Sequence, residues 1–415
     1  MAHETVIQTR ILRQGNVKPV SIGIDRGRIT AIGQLLQGDK VYDYSDFIAL
    51  PGGVDPHTHM RDPGCEHKED FSTGTLSAAF GGTTTVLDMP NTQPEVVNIE
   101  AYGVKSKAVE GKANVDYGLF GELISEHSIK ALAEEVIGFK LYLSETTGTK
   151  GIFEDACKLL STYGLADKIV TVHAEDPNHF APIQSVSLRA HNTRRNMESE
   201  IRAVEKVLGA ETPGTLNLAH LTAPESLELV RAQNVRYEVA PHHFLLNDDA
   251  DLGTLGKVNP PLRHRDVAQT LFEEVKKGRV DIIASDHAPH TLDEKDGEFE
   301  YAPSGVPGVE TRIPLLMALV KRDLVSLETV QKGCCERPAD LFDLPKGRIA
   351  EGYDADLALF DMDSITQVSG DKLHSKCGWT PFEGFEAVFP KTVLLRGNVI
   401  IENNELVEEK LGRLL

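Results

Sequence analysis

Apolar and polar positions alternate along this chain in two styles. Residues 5–49 hold short runs of strand character, "TVIQTRILR", "VSIGIDRGRITAIG" and "KVYDYSDFIAL", divided by Gly15, Asn16 and the turn at Asp25–Gly27. The same style returns near the other end in "GRIAEGYDADLALFD" and "KTVLLRGNVIIENNEL". Between them, eight runs of strand length recur at 47–55, 83–90, 114–122, 137–144, 168–175, 215–222, 235–242 and 280–287. Helix-length segments such as "FEDACKLLSTYG" and "RHRDVAQTLFEEVKKG" separate most of them. Strand and helix alternating in this way predict parallel strands, and eight units predict an α/β fold with a closed (β/α)8 TIM-type barrel. We place the barrel at 51–345 and build a small β-sandwich domain from residues 1–50 and 346–415. A doubly wound open sheet is the alternative, although no GxGxxG phosphate turn follows the first strand.

The bulk numbers agree with that division. A chain of 415 residues exceeds one ordinary small domain, and 40% hydrophobic with 26% charged residues describes a folded globular protein. Lys and Arg number 43 against 63 Asp and Glu, a formal charge of −20, so nucleic acid and anionic membranes are poor partners. A small anionic substrate stays open, because one local arginine can overrule the global field. Cys65, Cys157, Cys334, Cys335 and Cys377 are scattered without CxxC spacing, which argues against a disulfide framework and for a reducing compartment. Residues 1–20 lack an apolar signal core, and no apolar run reaches membrane-spanning length. The chain reads as a cytoplasmic enzyme acting on a small molecule.

Its chemistry starts in "LPGGVDPHTHMRDPG", residues 50–64. Alternate side chains on a strand share a face, so His57, His59 and Arg61 can point the same way. Asn91 follows the second run, Lys140 lies within the fourth, His173 near the end of the fifth and His220 on the sixth. Asp286, His287 and His290 sit on or after the eighth. In a barrel those C-terminal strand ends share one mouth, where barrel enzymes carry out their reactions. Neutral imidazoles with a carboxylate suit zinc or another borderline divalent ion that keeps a position open for water. Isolated histidines such as His127 and His179 read as surface or hydrogen-bonded residues, and His242 and His243 as packing or support. Lys140 has two readings. Its stem can lie along apolar neighbours with the ammonium reaching outward. Buried instead, its amine would lose its proton readily and react with carbon dioxide, giving a carbamate that can bridge two metals.

Taken together, "DPHTHMRDPG", "MPNTQP", "KLYLSET", "HAED", "VNPPLR" and "ASDHAPHTLDEK" resemble the dihydroorotases of the amidohydrolase superfamily. The resemblance runs through nearly the whole chain and includes "GRIAEGYDADLALFD". HxH is shared across the superfamily, whereas "HMRDPG" with "MPNT" is much more specific. The resemblance implies two divalent ions per chain, with zinc the best-suited metal. His57, His59 and Asp286 would hold one ion, His173 and His220 the other, and a carboxylated Lys140 would bridge them. It further implies that Arg61, Asn91, Asn259 and His290 hold the substrate, with backbone around Pro307 and Gly308 closing over it. One branch of the family uses an aspartate, found before a glycine after the fourth strand, in place of the lysine. Here that place reads Thr146, Thr147, Gly148, so the chain is similar to the lysine-carbamate branch found in the multifunctional animal enzyme. The segment "HNTRRNMESE" departs from that branch in lacking its Arg-Pro, with no expected effect on the chemistry.

The implied activity is reversible cyclisation of N-carbamoyl-L-aspartate to (S)-dihydroorotate in de novo pyrimidine biosynthesis. It would run through a metal-bridging hydroxide, with Asp286 as general base and then acid, and a homodimer is implied at family level. A guanidinium fork such as Arg61 binds both oxygens of a carboxylate. Two other readings stand beside it. An allantoinase or hydantoinase would use the same metals on a ring lacking that carboxylate. A non-catalytic barrel scaffolding a partner enzyme would have lost metal ligands, and here every expected ligand is present.

Overall fold

The computed structural model describes residues 2–162, 168–212 and 214–415. The N-terminal segment forms β1 (His3–Arg13), β2 (Asn16–Asp25), β3 (Arg28–Gly33) and β4 (Gly38–Pro51). The middle of the chain supplies β5 (Gly53–Thr58), β6 (Thr83–Asp88), β7 (Asp116–Glu122), β8 (Gly138–Tyr142), β9 (Ile169–His173), β10 (Leu216–Leu218), β11 (Arg236–Val239) and β12 (Ile282–Ile283). The C-terminal segment adds β13 (Leu357–Phe360), β14 (Thr366–Gln367), β15 (Glu386–Ala387), β16 (Pro390–Leu395), β17 (Asn398–Glu402) and β18 (Glu405–Leu406).

β5 to β12 pair in sequence order, all parallel. The ring is tied shut where Thr58 bridges His287 in parallel and the His59 N–H donates to the His287 carbonyl at 2.7 Å. The eight strands form a TIM-type barrel. Parallel strands covered on both faces read as continuous apolar runs, and every residue of β5 to β8 is buried. The two termini meet in a second sheet, ordered β18-β17-β16-β13-β4-β1-β2-β3. β13 runs antiparallel to β4, with Leu357 opposite Pro51 and Phe360 opposite Ile48. Alternate residues of these strands, among them Ile7, Ile11, Ile22, Leu357 and Leu359, converge on one apolar cluster.

Strand one departs from the sequence reading. The run 47–55 divides at Gly52: residues up to Pro51 belong to β4, and the barrel strand begins at Gly53. A Cβ on Gly52 would stand 2.1 Å from Thr84 Oγ1, and one on Gly53 2.6 Å from Ile313 Cδ1. Only glycines let the chain pass between sheet and barrel here. In consequence His57 lies inside β5, and His59 and Arg61 follow it. The later strands are shorter than predicted. The 215–222 run is regular strand only over β10; beyond it the Ala219 and Leu221 N–H groups still donate to the Val172 and Glu238 carbonyls, but the backbone enters the left-handed region at His220, with φ 35°. Of the predicted helices, "RHRDVAQTLFEEVKKG" forms Arg265–Lys276 and "FEDACKLLSTYG" forms Ala156–Thr162; its Tyr163 and Gly164 lie outside the described residues.

Long-range polar contacts fix the C-terminal segment to the barrel. Lys346 is buried among Asp116, Asp354 and Asp356 at 2.7, 3.0 and 2.8 Å. Beyond β13 the chain returns to the barrel mouth, where Trp379 Nε1 donates to the His290 carbonyl at 2.7 Å. Among the described residues no helix is long and apolar enough to cross a membrane.

Candidate metal centre and substrate pocket

His57 and His59 both turn Nε2 toward Asp286, at 3.5 and 3.4 Å from Oδ1. One ligand atom from each of the three residues lies within 4.8 Å of the others. Each imidazole is oriented through its other nitrogen. His57 Nδ1 meets Glu238 Oε2 at 2.8 Å, and His59 Nδ1 meets Asn91 Oδ1 at 2.7 Å. His220 stacks on His57 with centroids 5.1 Å apart, and its Nε2 lies 3.1 Å from His173 Nδ1. His173 is held from behind by Glu175 at 2.7 Å, which in turn carries Arg195 at 2.6 Å. Lys140 Nζ stands 3.1 Å from His57 Nε2.

Burial decides the charge states. It draws His59 down to about 3, lowers His173, and takes His220 well below its ordinary value. It also draws Lys140 down to about 8, against the pull of Glu238 and Asp286. Burial alone would raise the Asp286 carboxyl, but the imidazoles of His57, His59 and His220 crowd it and hold it well below the usual carboxylate range. Imidazoles that give up their protons readily, at His59, His173 and His220, beside the Asp286 carboxylate are the donors a borderline divalent ion takes. His173 Nδ1 and His220 Nε2, which face each other at 3.1 Å, are a second pair of nitrogens able to share a cation. The arrangement fits a metal.

Arg61, His220 and Asp286 all have positive φ, at 61°, 35° and 47°. For non-glycine residues this costs on the order of 1–3 kcal/mol each, and it aims three side chains into one space. That space is a pocket of about 30 Å³ whose walls include Arg61, Asn91, Tyr142, Asn259 and Gly305. Arg61 is buried, donating from Nε to the Pro289 carbonyl at 3.2 Å, with Nη2 3.2 Å from His290 Nε2. Across the mouth lies the loop after β8. The Thr147 carbonyl accepts from Asn91 Nδ2 at 3.0 Å, and Thr146 Oγ1 accepts from Asn259 Nδ2 at 3.1 Å.

His57, His59, Lys140, His173, His220, Asp286, Arg61, Asn91 and Asn259 thus line a single pocket. The others of the expected set stand back from it. His290 sits behind Arg61, Pro307 and Gly308 are absent from the lining, and the Gly308 N–H is taken by His287 Nδ1 at 3.1 Å. Ser304 and Gly305 form the wall there instead. His242 and His243 fall behind His220, with His243 Nε2 at 2.9 Å from the Pro260 carbonyl. Glu238, Glu175 and Arg195 were not singled out from the sequence. The signal for Glu238 was an acidic residue inside the apolar run 235–242, where an unpartnered charge has no place.

A profile of the Amidohydrolase family matches residues 48–400. The dihydroorotase of Halobacterium salinarum is 42% identical over 95% of this chain and 96% of its own length. That of Archaeoglobus fulgidus is 36% identical over 99% of both chains. Among solved structures, the L-hydantoinase (dihydropyrimidinase) from Arthrobacter aurescens superposes with a TM-score of 0.93 at 25% identity, covering 99% of both chains. The barrel, its polar mouth and these matches agree: the chain belongs to the amidohydrolase family of metal-dependent hydrolases.

Proposed function

We propose that this chain interconverts N-carbamoyl-L-aspartate and (S)-dihydroorotate, ring closure being its direction in pyrimidine biosynthesis. The observation that carries the reading is Arg61, a buried guanidinium at the wall of the pocket, beside the His57, His59 and Asp286 group, whose contacts are a carbonyl and an imidazole. A ligand carboxylate would complete it. Relatives named dihydroorotase at 36–42% identity over nearly the whole chain support the same substrate. The likeness to hydantoinases is a likeness of fold at lower identity, and hydantoin lacks the carboxylate Arg61 would bind.

In this reading His57, His59 and Asp286 would hold one divalent ion, best suited by zinc, and His173 and His220 would hold a second. Lys140, carboxylated on Nζ, would supply an anionic ligand to both. Such ions, when bound, polarise an amide carbonyl and acidify water. Arg61 and Asn91 grip the ring carboxylate, which sets the amide that opens, across the ring CH2 from it, over Asp286. His290 props the guanidinium and Asn259 reaches the ring from the far side. Asp286 accepts the proton of the attacking water on its carboxylate and returns it to the ring nitrogen as the C–N bond breaks. Ring closure runs these transfers in reverse. The barrel, residues 51–345, carries this chemistry, with the terminal segments 1–50 and 346–415 as a separate β-domain and a cytoplasmic homodimer as the working form.

The test is turnover of dihydroorotate and N-carbamoyl-aspartate by purified protein, before and after a chelator, with hydantoin and allantoin as controls. Turnover of the carboxylated pair, lost on chelation and restored by zinc, is expected. Preferential turnover of hydantoin or allantoin would overturn the assignment.

A further inference from the structure

Buried cations in this molecule divide into two groups. Lys105, Arg195, Arg263, Arg312 and Lys346 each lie within 4.0 Å of a carboxylate, on Asp88, Glu175, Glu200, Asp55 and the Asp116 group. Among the described residues, the buried cations with no such partner are Arg61, Lys140, Lys257 and Lys295. All four stand at the barrel mouth. The first two line the pocket already described. The other two lie behind its wall and belong to no step of the proposed reaction.

Both are satisfied by main-chain carbonyls alone. Lys295 Nζ donates to Thr254, Lys257 and Pro303 at 3.2, 3.2 and 2.9 Å. Lys257 Nζ donates to Phe299, Glu300 and Ala302 at 2.8, 2.9 and 2.7 Å. The Lys257 carbonyl also takes the N–H of Gly305, a residue of the pocket wall. Carbonyl dipoles solvate an ammonium without cancelling its charge, so the field of both lysines reaches through residues 303–305 into the pocket. Their charges are under strain. Burial, then repulsion from Lys257 and Arg61, draws Lys295 down to about 7; burial and Arg195 draw Lys257 to about 8, against Glu300. Of the two acids that flank Lys295 in sequence, Glu294 pairs with Lys68 at 2.9 Å and Asp296 is exposed.

We propose that Lys257 and Lys295 form an uncompensated cationic wall that, together with Arg61, selects a ligand bearing a carboxylate over its neutral analogue. This rests on the cyclic-amide reading of the pocket and deepens it. Arg61 grips the carboxylate by direct contact, while the lysines act at a distance as positioning and electrostatic residues.

Orotate and uracil share one ring and differ by the carboxylate, which makes them matched probes. Trp379, the sole tryptophan, has its ring 5.7 Å from Lys295 Nζ, so its fluorescence can follow binding of either to metal-loaded protein at pH 6.5. Native protein should prefer orotate. Lys257→Gln and Lys295→Gln, which keep two N–H donors but no charge, should each cut the orotate-to-uracil ratio about tenfold and leave uracil binding unchanged. Lys257→Arg should preserve the ratio. If Lys295→Gln fails to fold, Lys257→Gln decides the matter alone, its fold checked by circular dichroism. A native preference that survives both substitutions, or equal losses for both probes, would overturn the electrostatic wall and leave the proposed function standing. No native preference would overturn the function itself, and the wall with it.

Discussion

Glu238 offers the most informative single substitution, because it touches a proposed ligand without touching the pocket. Its carboxylate is fully buried, with Oε2 2.8 Å from His57 Nδ1 and Oε1 2.5 Å from Asn217 Nδ2. Replacement by alanine would strand both donors in the core at about 1–3 kcal/mol each, and the loss of fold would hide any loss of function. Glu238→Gln avoids this. Asn217 Oδ1 is buried without a partner, so a flip of that amide lets it accept from the new side-chain NH2. The fold should then lose no more than about 1 kcal/mol in chemical denaturation. What is removed is the negative charge that fixes the His57 tautomer and strengthens Nε2 as a donor. Carboxylates in that position are worth about 10–100-fold in metal affinity, or roughly 1.4–2.7 kcal/mol. Competition against a chelator of known affinity should therefore show one ion held about 10–100-fold more weakly, with activity recovered at high zinc. Unchanged metal affinity in a folded Glu238→Gln protein would refute the reasoning that His57 is a ligand oriented from behind.

Arg61→Met should lower kcat/KM for dihydroorotate by about a hundredfold or more while bound metal stays near normal, as read by steady-state kinetics with metal analysis. Near-normal turnover would place the carboxylate elsewhere. Lys346→Met should destabilise the fold by about 3–5 kcal/mol in a urea titration, since it leaves the buried Asp356 carboxylate without its cation and Asp116 with Arg396 alone. Thiol titration at pH 8 should find Cys65 and Cys157 reactive in the native state and Cys334, Cys335 and Cys377 silent until denaturation. Burial pushes the Cys334 thiol up to about 11 and shields it from reagent.

Much of this site was legible because barrel topology does the assembling. Residues spread from His57 to Asp286 meet once eight strands close, and the strand count followed from apolar runs. What stayed hidden depends on angles that no periodicity encodes. The split at Gly52 came from crowding by Thr84, a residue thirty-two positions away in the chain. The left-handed turns at Arg61, His220 and Asp286 aim those side chains, yet nothing in their residue types requires positive φ. Pro307 and Gly308 lie just past Ser304 and Gly305, which line the pocket, and Val306 between them bridges His287. Lys257 and Lys295 gave no signal at all, since a buried lysine reads like any surface lysine until its partners are known.

The proposed centre at the mouth of the barrel holds two metals, with Lys140 as their shared ligand. Lys140 Nζ stands 3.1 Å from His57 Nε2, where a bare ammonium would repel any divalent ion bound beside it. The direct measurement is a diffraction map of metal-loaded protein, paired with its mass under native conditions. Two divalent ions and a carboxylate on Lys140 Nζ are expected, seen as density between the ions and as the added mass of one carbon dioxide. Two occupied ions beside an unmodified Lys140, or an active protein holding no metal, would contradict that assignment.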